Sequence, residues 1–161
     1  MDNAVFTPVD VLDYVYGWLH SVDYREQYKE FLKVDFPRVP YPDNKEMFLS
    51  MVSVGRKLRR LHLLEGVAPV KGLATFPVEG SDEIETARYV EGNVFINENQ
   101  YFKGVPKEVW EFYIGGYQPA QKWLKDRKGC VLGYNEKQHY QRIIAALKGT
   151  VEVMREMDFL N

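Results

Sequence analysis

Apolar residues recur along this chain with two different periods, and the switches between them outline its elements. From Thr7 to Ser21, Val11, Leu12, Val15, Trp18 and Leu19 keep helical spacing. Thr7 suits an N-cap and Pro8 the first helical position. A second helix is predicted from Asp23 to Val34, with Tyr24, Tyr28, Phe31 and Leu32 along one side. Pro37, Pro40 and Pro42 then impose an extended, rigid connector, because each fixes its own φ and pushes the preceding residue out of the α region. Asp43 and Glu46 form an acidic version of the capping box. Met47, Met51, Val54, Leu58 and Leu61 follow in steps of four and three, and Gly66 closes the run. A helical projection sets Arg56, Arg59 and Arg60 opposite that stripe.

The middle of the chain changes period. Arg88 to Val90 and Val94 to Ile96 flank the turn signal Glu91-Gly92-Asn93 and predict a β-hairpin, with "QYFKGVP" as another strand or its exit. A short helix is predicted from Pro106 to the Gly115-Gly116 pair. Pro119 reopens a helix that turns Ala120, Trp123 and Leu124 inward and ends at Gly129. Asn135 is expected to cap the last helix, with Gln138 at the capping-box position. Tyr140, Ile144, Leu147, Val151 and Met154 form its stripe, and the chain is expected to close at Phe159-Leu160-Asn161 without a tail. The order predicts an α+β fold: one mainly helical domain over residues 1–161 with a small antiparallel hairpin or sheet in the middle. Residues 1–42 supply the first helices and the connector, and residues 43–161 the rest.

Composition narrows the chemistry. Aromatic residues reach 14% and the net charge is -2, so a duplex held by this chain alone would need a locally basic face. Cys130 is the only cysteine, which excludes a disulfide framework, and it is expected to be a small core residue. His20, His62 and His139 lie far apart and form no metal-binding pattern, although His62 sits beside an arginine cluster. No apolar run approaches a membrane span, and the first residues lack a basic leader segment, so a reduced, soluble, cytoplasmic protein is expected.

Phosphate-binding loops, nucleophile elbows and dinucleotide fingerprints are all missing from the sequence. No catalytic residue and no metal ligand is expected. Pro42-Asp43 works better as a helix start than as part of a nuclease centre, and Glu83, Glu85 and Glu91 read as a solvated acidic face. Gly115-Gly116 reads as a sharp corner between two short helices. Two basic clusters remain: Arg56, Lys57, Arg59 and Arg60, and then Lys122, Lys125, Arg127 and Lys128. Cations near a helix end are favoured by its dipole, which explains either cluster alone. Two of them in a slightly acidic chain rich in Tyr, Phe and Gln point to a polyanion surface, where Lys and Arg position phosphates and Gln or Arg read base edges.

The stretches "VFINENQYFKGVPKEVWEFYIGGYQPAQKWLKDRKG" and "HYQRIIAALKGTVEVM", with "FPRVPYP" and "GRKLRRLHL" upstream, resemble the C-terminal region of type ISP restriction–modification polypeptides and related large adenine-specific DNA methyltransferases. The resemblance spans roughly residues 34 to 158. It implies a non-catalytic target-recognition domain for double-stranded DNA. The methyltransferase, with its S-adenosylmethionine, and any helicase and nuclease would lie in other domains of the same system, and no cofactor is expected in this chain. Pro119 and Cys130 replace the valine and arginine usual in the family, and the lost arginine removes one potential phosphate contact. On this reading Tyr117, Gln118, Lys122, Lys125, Arg127 and Lys128 form one DNA edge, Arg56, Arg59 and Arg60 a second, and Arg38 enters a groove. The rival reading is a protein-interaction module that docks on the methyltransferase core.

Overall fold

A computed structural model describes residues 5–157, so the expectation about the chain's last residues lies outside the described part. Within it the α+β order holds. The chain divides into two compact units, residues 1–63 with 152–161, and residues 64–151. Among the described residues no helix is long and apolar enough to cross a membrane.

The first unit is helical. Helix α1 (Pro8–His20) opens on the predicted cap, extended to a full capping box because Asp10 accepts from the Thr7 backbone N–H at 2.8 Å. Ser21 ends α1 and caps α2 (Val22–Tyr28). This second helix stops well short of Val34, and a 3₁₀ turn (Phe31–Lys33) follows it. Helix α3 (Lys45–His62) is capped by Asn44, not Asp43, since the Asn44 side chain accepts from the Met47 N–H at 2.8 Å. It ends at His62, four residues before Gly66. The proline connector is pinned at two carbonyls: the Tyr24 hydroxyl donates to Arg38 and the Tyr14 hydroxyl to Pro40.

Helices α1 and α3 bury faces that hydropathy does not pick out. On α1 the buried positions are Asp13, Tyr14, Gly17 and His20, while Val11 and Leu12 are more than half exposed. On α3 they are Phe48, Val52 and Gly55, each one position round from the predicted stripe, and Leu58, which belongs to it. Close approach explains the shift. A Cβ added at Gly55 would lie 1.6 Å from the Asp13 carbonyl oxygen, and one at Gly17 would lie 2.7 Å from Met51 Sδ. Each helix presents a glycine to the other, so the backbones meet where no side chain intervenes. Tyr14 and Phe48 pack beside the contact with ring centroids 5.1 Å apart.

The second unit is built on a sheet. Strands β1 (Arg88–Val90), β2 (Asn93–Phe95) and β3 (Tyr101–Lys103) pair antiparallel in the order β1-β2-β3, with Arg88 opposite Phe95 and Val94 opposite Phe102. Glu91 and Gly92 both have positive φ, 47° and 87°, the requirement of a two-residue hairpin turn that follows strand twist. Val94, Ile96 and Phe102 are fully buried against Val109, Ala120, Leu124, Tyr140 and Ile144. These come from the short helices α4 (Lys107–Glu111) and α5 (Pro119–Lys125) and from α6 (Tyr134–Met157). Asn135 lies inside α6 and does not cap it. Cys130 is exposed, against expectation, because its N–H and carbonyl are committed to Arg127 and Ile84 and its side chain faces solvent.

One buried polar residue organises the approach to this sheet. Gln100 is 1% exposed, accepts from the Asp82 N–H and from Asn97, and donates to the Val78 carbonyl and the Asp82 carboxylate. All of its amide atoms are used, which is the condition under which burial of an amide is tolerated.

The glycine contact yields a first prediction. In an open helix Gly55→Ala would stabilise by about 1 kcal/mol through propensity. Here the clash wins, and the substitution should destabilise toward the upper end of about 1–3 kcal/mol, measured as a lowered denaturation midpoint.

Candidate nucleic-acid interface

The α3 cations divide by what they touch. Arg59 grips Asp13 with two bonds, Nε to Oδ1 at 2.6 Å and Nη2 to Oδ2 at 3.2 Å. Arg56 reaches the same carboxylate at 3.4 Å and Asp10 at 2.8 Å. Asp13 is fully buried, and a buried carboxylate is held only if cations and hydrogen bonds satisfy it. Arg56 and Arg59 therefore face α1 rather than lying opposite the packed stripe. Arg60 and Lys57 are the exposed cations of this cluster. Asp13 is the residue that sequence reading missed, and its only signal was an acid among positions that repeat with the helix.

His20 and His62, forty-two residues apart in sequence, meet with ring centroids 5.1 Å apart. Tyr16 links them: its hydroxyl shares a hydrogen bond with His62 Nδ1 at 2.5 Å, and its carbonyl accepts from His20 Nδ1 at 2.9 Å. Burial, reinforced by the nearby Arg25 guanidinium, pushes both imidazoles down to about 4. Both are neutral at physiological pH, so this pair offers no charge to a phosphate.

The second basic edge is rooted in the core. Ala120 and Leu124 are fully buried under α5, and Trp123 is half-buried against Tyr140 at 5.4 Å. Lys122 and Lys125 are thereby turned outward. Lys122 pairs with Asp126 at 2.8 Å, both about half exposed, and Lys125 donates to Gln121 at 3.1 Å. Such exposed pairs contribute little and yield readily to a stronger anion. Arg127 folds back with its guanidinium 4.1 Å from the Trp123 ring centroid and donates to the Trp123 carbonyl. Lys128 is exposed just before Gly129, whose positive φ of 87° turns the chain as expected.

Ahead of α5, Gly115 and Gly116 form the expected corner, closed by mutual backbone bonds between Ile114 and Tyr117. It holds Tyr113 and Tyr117 about half exposed. Gln118 is the N-cap residue of α5, and its amide donates to the Glu111 carbonyl at 3.1 Å, so it fastens α5 to the end of α4. Arg38 stands in the first unit with its side chain 81% exposed, 4.0 Å from Asp35, on a backbone fixed by Tyr24. Of the ten residues anticipated, Arg38, Arg60, Tyr117, Lys122, Lys125 and Lys128 present themselves to solvent. Arg56, Arg59, Gln118 and Arg127 are engaged in holding elements together. Among the described residues no group of three or more His, Cys, Asp or Glu is arranged to hold a metal ion.

The family model described as the Type ISP C-terminal specificity domain matches residues 1–156. No curated protein shows significant similarity to the chain. Solved structures share the fold. A nuclease-deletion mutant of the Type ISP restriction-modification enzyme LlaGI, in complex with a DNA substrate mimic, superposes with a TM-score of 0.69 at 24% identity. It covers 94% of this chain and 16% of that one. The ATP-dependent Type ISP restriction-modification enzyme LlaBIII bound to DNA gives 0.69 at 20%, over 98% of this chain and 11% of that one. The DrdV–DNA complex gives 0.70 at 23%, over 97% and 18%. The chain thus spans less than a fifth of each of these longer polypeptides.

Two predictions follow from the first unit. Replacing both Arg56 and Arg59 by Ala leaves Asp13 buried without its cations, and should cost about 3–5 kcal/mol in denaturant unfolding, against under about 0.5 kcal/mol for Arg60→Ala. The neutral histidines make stability fall with acid. The unfolded chain takes up protons near 6.5 and the folded one only near 4, so the contribution is complete above pH 6.5 and is lost between 6.5 and 4. The slope in that window should approach about 1.4 kcal/mol per pH unit for each histidine, and His20→Phe should flatten it.

Proposed function

Because the chain belongs to the Type ISP C-terminal specificity domain family, we propose that it is the target-recognition part of a restriction–modification system and binds double-stranded DNA without chemistry of its own. The family match over nearly the whole chain carries this reading. The exposed lysines of α5 and its exit support it: Lys122, Lys125 and Lys128 project from a helix whose other side is locked into the core, so their positions are set in advance. Contacts of this kind fix orientation on a phosphate backbone, whereas base discrimination needs side chains that reach the groove. Arg38, on its rigid connector, has the exposure and the anchored backbone for that task, and Tyr117 projects from a corner braced by Gln118.

Methylation of adenine, with S-adenosylmethionine as donor, belongs on this proposal to another domain of the parent system, and any helicase or nuclease likewise. Cytoplasmic action follows from the same assignment. A second reading is favoured by one observation: Val9, Val11 and Leu12 leave α1 with about half of each side chain exposed. An apolar helix face of that kind also suits docking on another protein domain.

Electrophoretic titration of the intact chain with duplex DNA at low and moderate salt tests the proposal. Lys125→Ala and Lys128→Ala should each weaken binding to all sequences alike and lower the salt slope by about one unit. Arg38→Ala should change the preference among sequences. Absence of duplex binding at any salt would sink DNA recognition by this chain and leave the docking reading.

A further inference from the structure

The connector and α2 line an open cavity of about 480 Å³ in the first unit, within the span of small-ligand sites of roughly 300–1,000 Å³. Its lining joins three rings, Trp18, Tyr24 and Tyr28, to Asp23, Gln27 and Arg38. The rings are in mutual contact. Trp18 and Tyr24 lie with centroids 6.2 Å apart at 61°, and Tyr24 and Tyr28 lie 4.9 Å apart at 39°. Tyr24 is held in place, because it is buried and its hydroxyl donates to the Arg38 carbonyl at 2.9 Å. Tyr28, at the end of α2, is 37% exposed and keeps an open ring surface. The Trp18 indole N–H has no hydrogen-bond partner among the described residues, but it is closed to solvent and does not open on the cavity.

We propose that this cavity receives one unstacked nucleobase of bound DNA, beside the groove-reading Arg38 at its rim. The proposal rests on the DNA-binding reading above and assigns a site within it. Aromatic walls suit any planar heterocycle, since every base offers a π face. The polar edge supplies what a base needs beyond stacking: the Asp23 carboxylate as acceptor for an exocyclic amine, and the Gln27 amide as donor and acceptor. Arg38 stands at the rim with 81% of its side chain in solvent, where it can reach the edge of a neighbouring base. An apolar side chain from a partner protein would use the rings and leave the polar edge of Asp23 and Gln27 unused.

The test compares the intact chain on two DNA duplexes of equal length, one fully paired and one carrying a single extra 2-aminopurine. The wild-type chain should prefer the second duplex and quench its fluorescence on binding. Tyr28→Ala should reduce that preference by roughly 5- to 150-fold, the range for loss of one base–aromatic stack. Tyr28→Phe should keep the preference, and equal melting temperatures of the variants establish that the fold is intact. Binding of both duplexes with no preference, or a preference that Tyr28→Ala leaves in place, overturns the base pocket while DNA recognition stands. No binding of either duplex overturns both together.

Discussion

A fully buried carboxylate governs the first half of this molecule. Asp13 has no water to solvate it, so the chain must bring cations to it, and Arg56 and Arg59 arrive from α3. That requirement, with the glycine contacts beside it, sets the rotation of both helices about their axes. Rotation in turn decides which side chains reach solvent. Val11 and Leu12 are turned outward although both are apolar, and Arg60 is left as the outward cation where three had been read from the pattern. The clasp costs the surface two arginines and makes the α1–α3 geometry unique, because sliding either helix would separate the charges.

Much of the architecture was legible in the sequence. Thr7 as a cap, the Glu91-Gly92 turn and the Tyr140, Ile144 and Leu147 stripe are local signals, and each works through neighbours along the chain. Failures came where a distant partner decides. A Gly55 that must meet a backbone and an Asp13 that draws arginines inward look, in sequence, like a weak helix position and a surface acid. His20 and His62 looked unrelated because forty-two residues separate them. Cys130 looked like core because small sulfur side chains usually are, yet its backbone bonds to Arg127 and Ile84 leave the thiol outside. Even Asn44 displaced the adjacent Asp43 as a cap, a shift of one residue that backbone geometry alone selects.

The recognisable wording of the second half turns out to be framework. Gln100 fastens the loop before the sheet, Phe102 and Val105 are buried, Trp110 packs beside Tyr89 with rings 5.8 Å apart, and Trp123 supports α5. These residues explain why the stretch reads as a family pattern, since each has several simultaneous partners. The cations between them, Lys122, Lys125 and Lys128, have weak partners or exposed surroundings. Rigid residues and interacting residues are therefore interleaved along one short helix. The family resemblance accordingly reports the scaffold more directly than it reports any contact with a ligand.

The exposed sulfhydryl at Cys130 has a practical consequence. Since the chain holds one cysteine, a maleimide dye or spin label enters at a single known point, two residues beyond Lys128. Its anchoring backbone is tied to Ile84, so the probe reports from a firm base. Energy transfer or electron resonance from that point would gauge, in ångströms, how far the exit of α5 stands from a labelled oligonucleotide end.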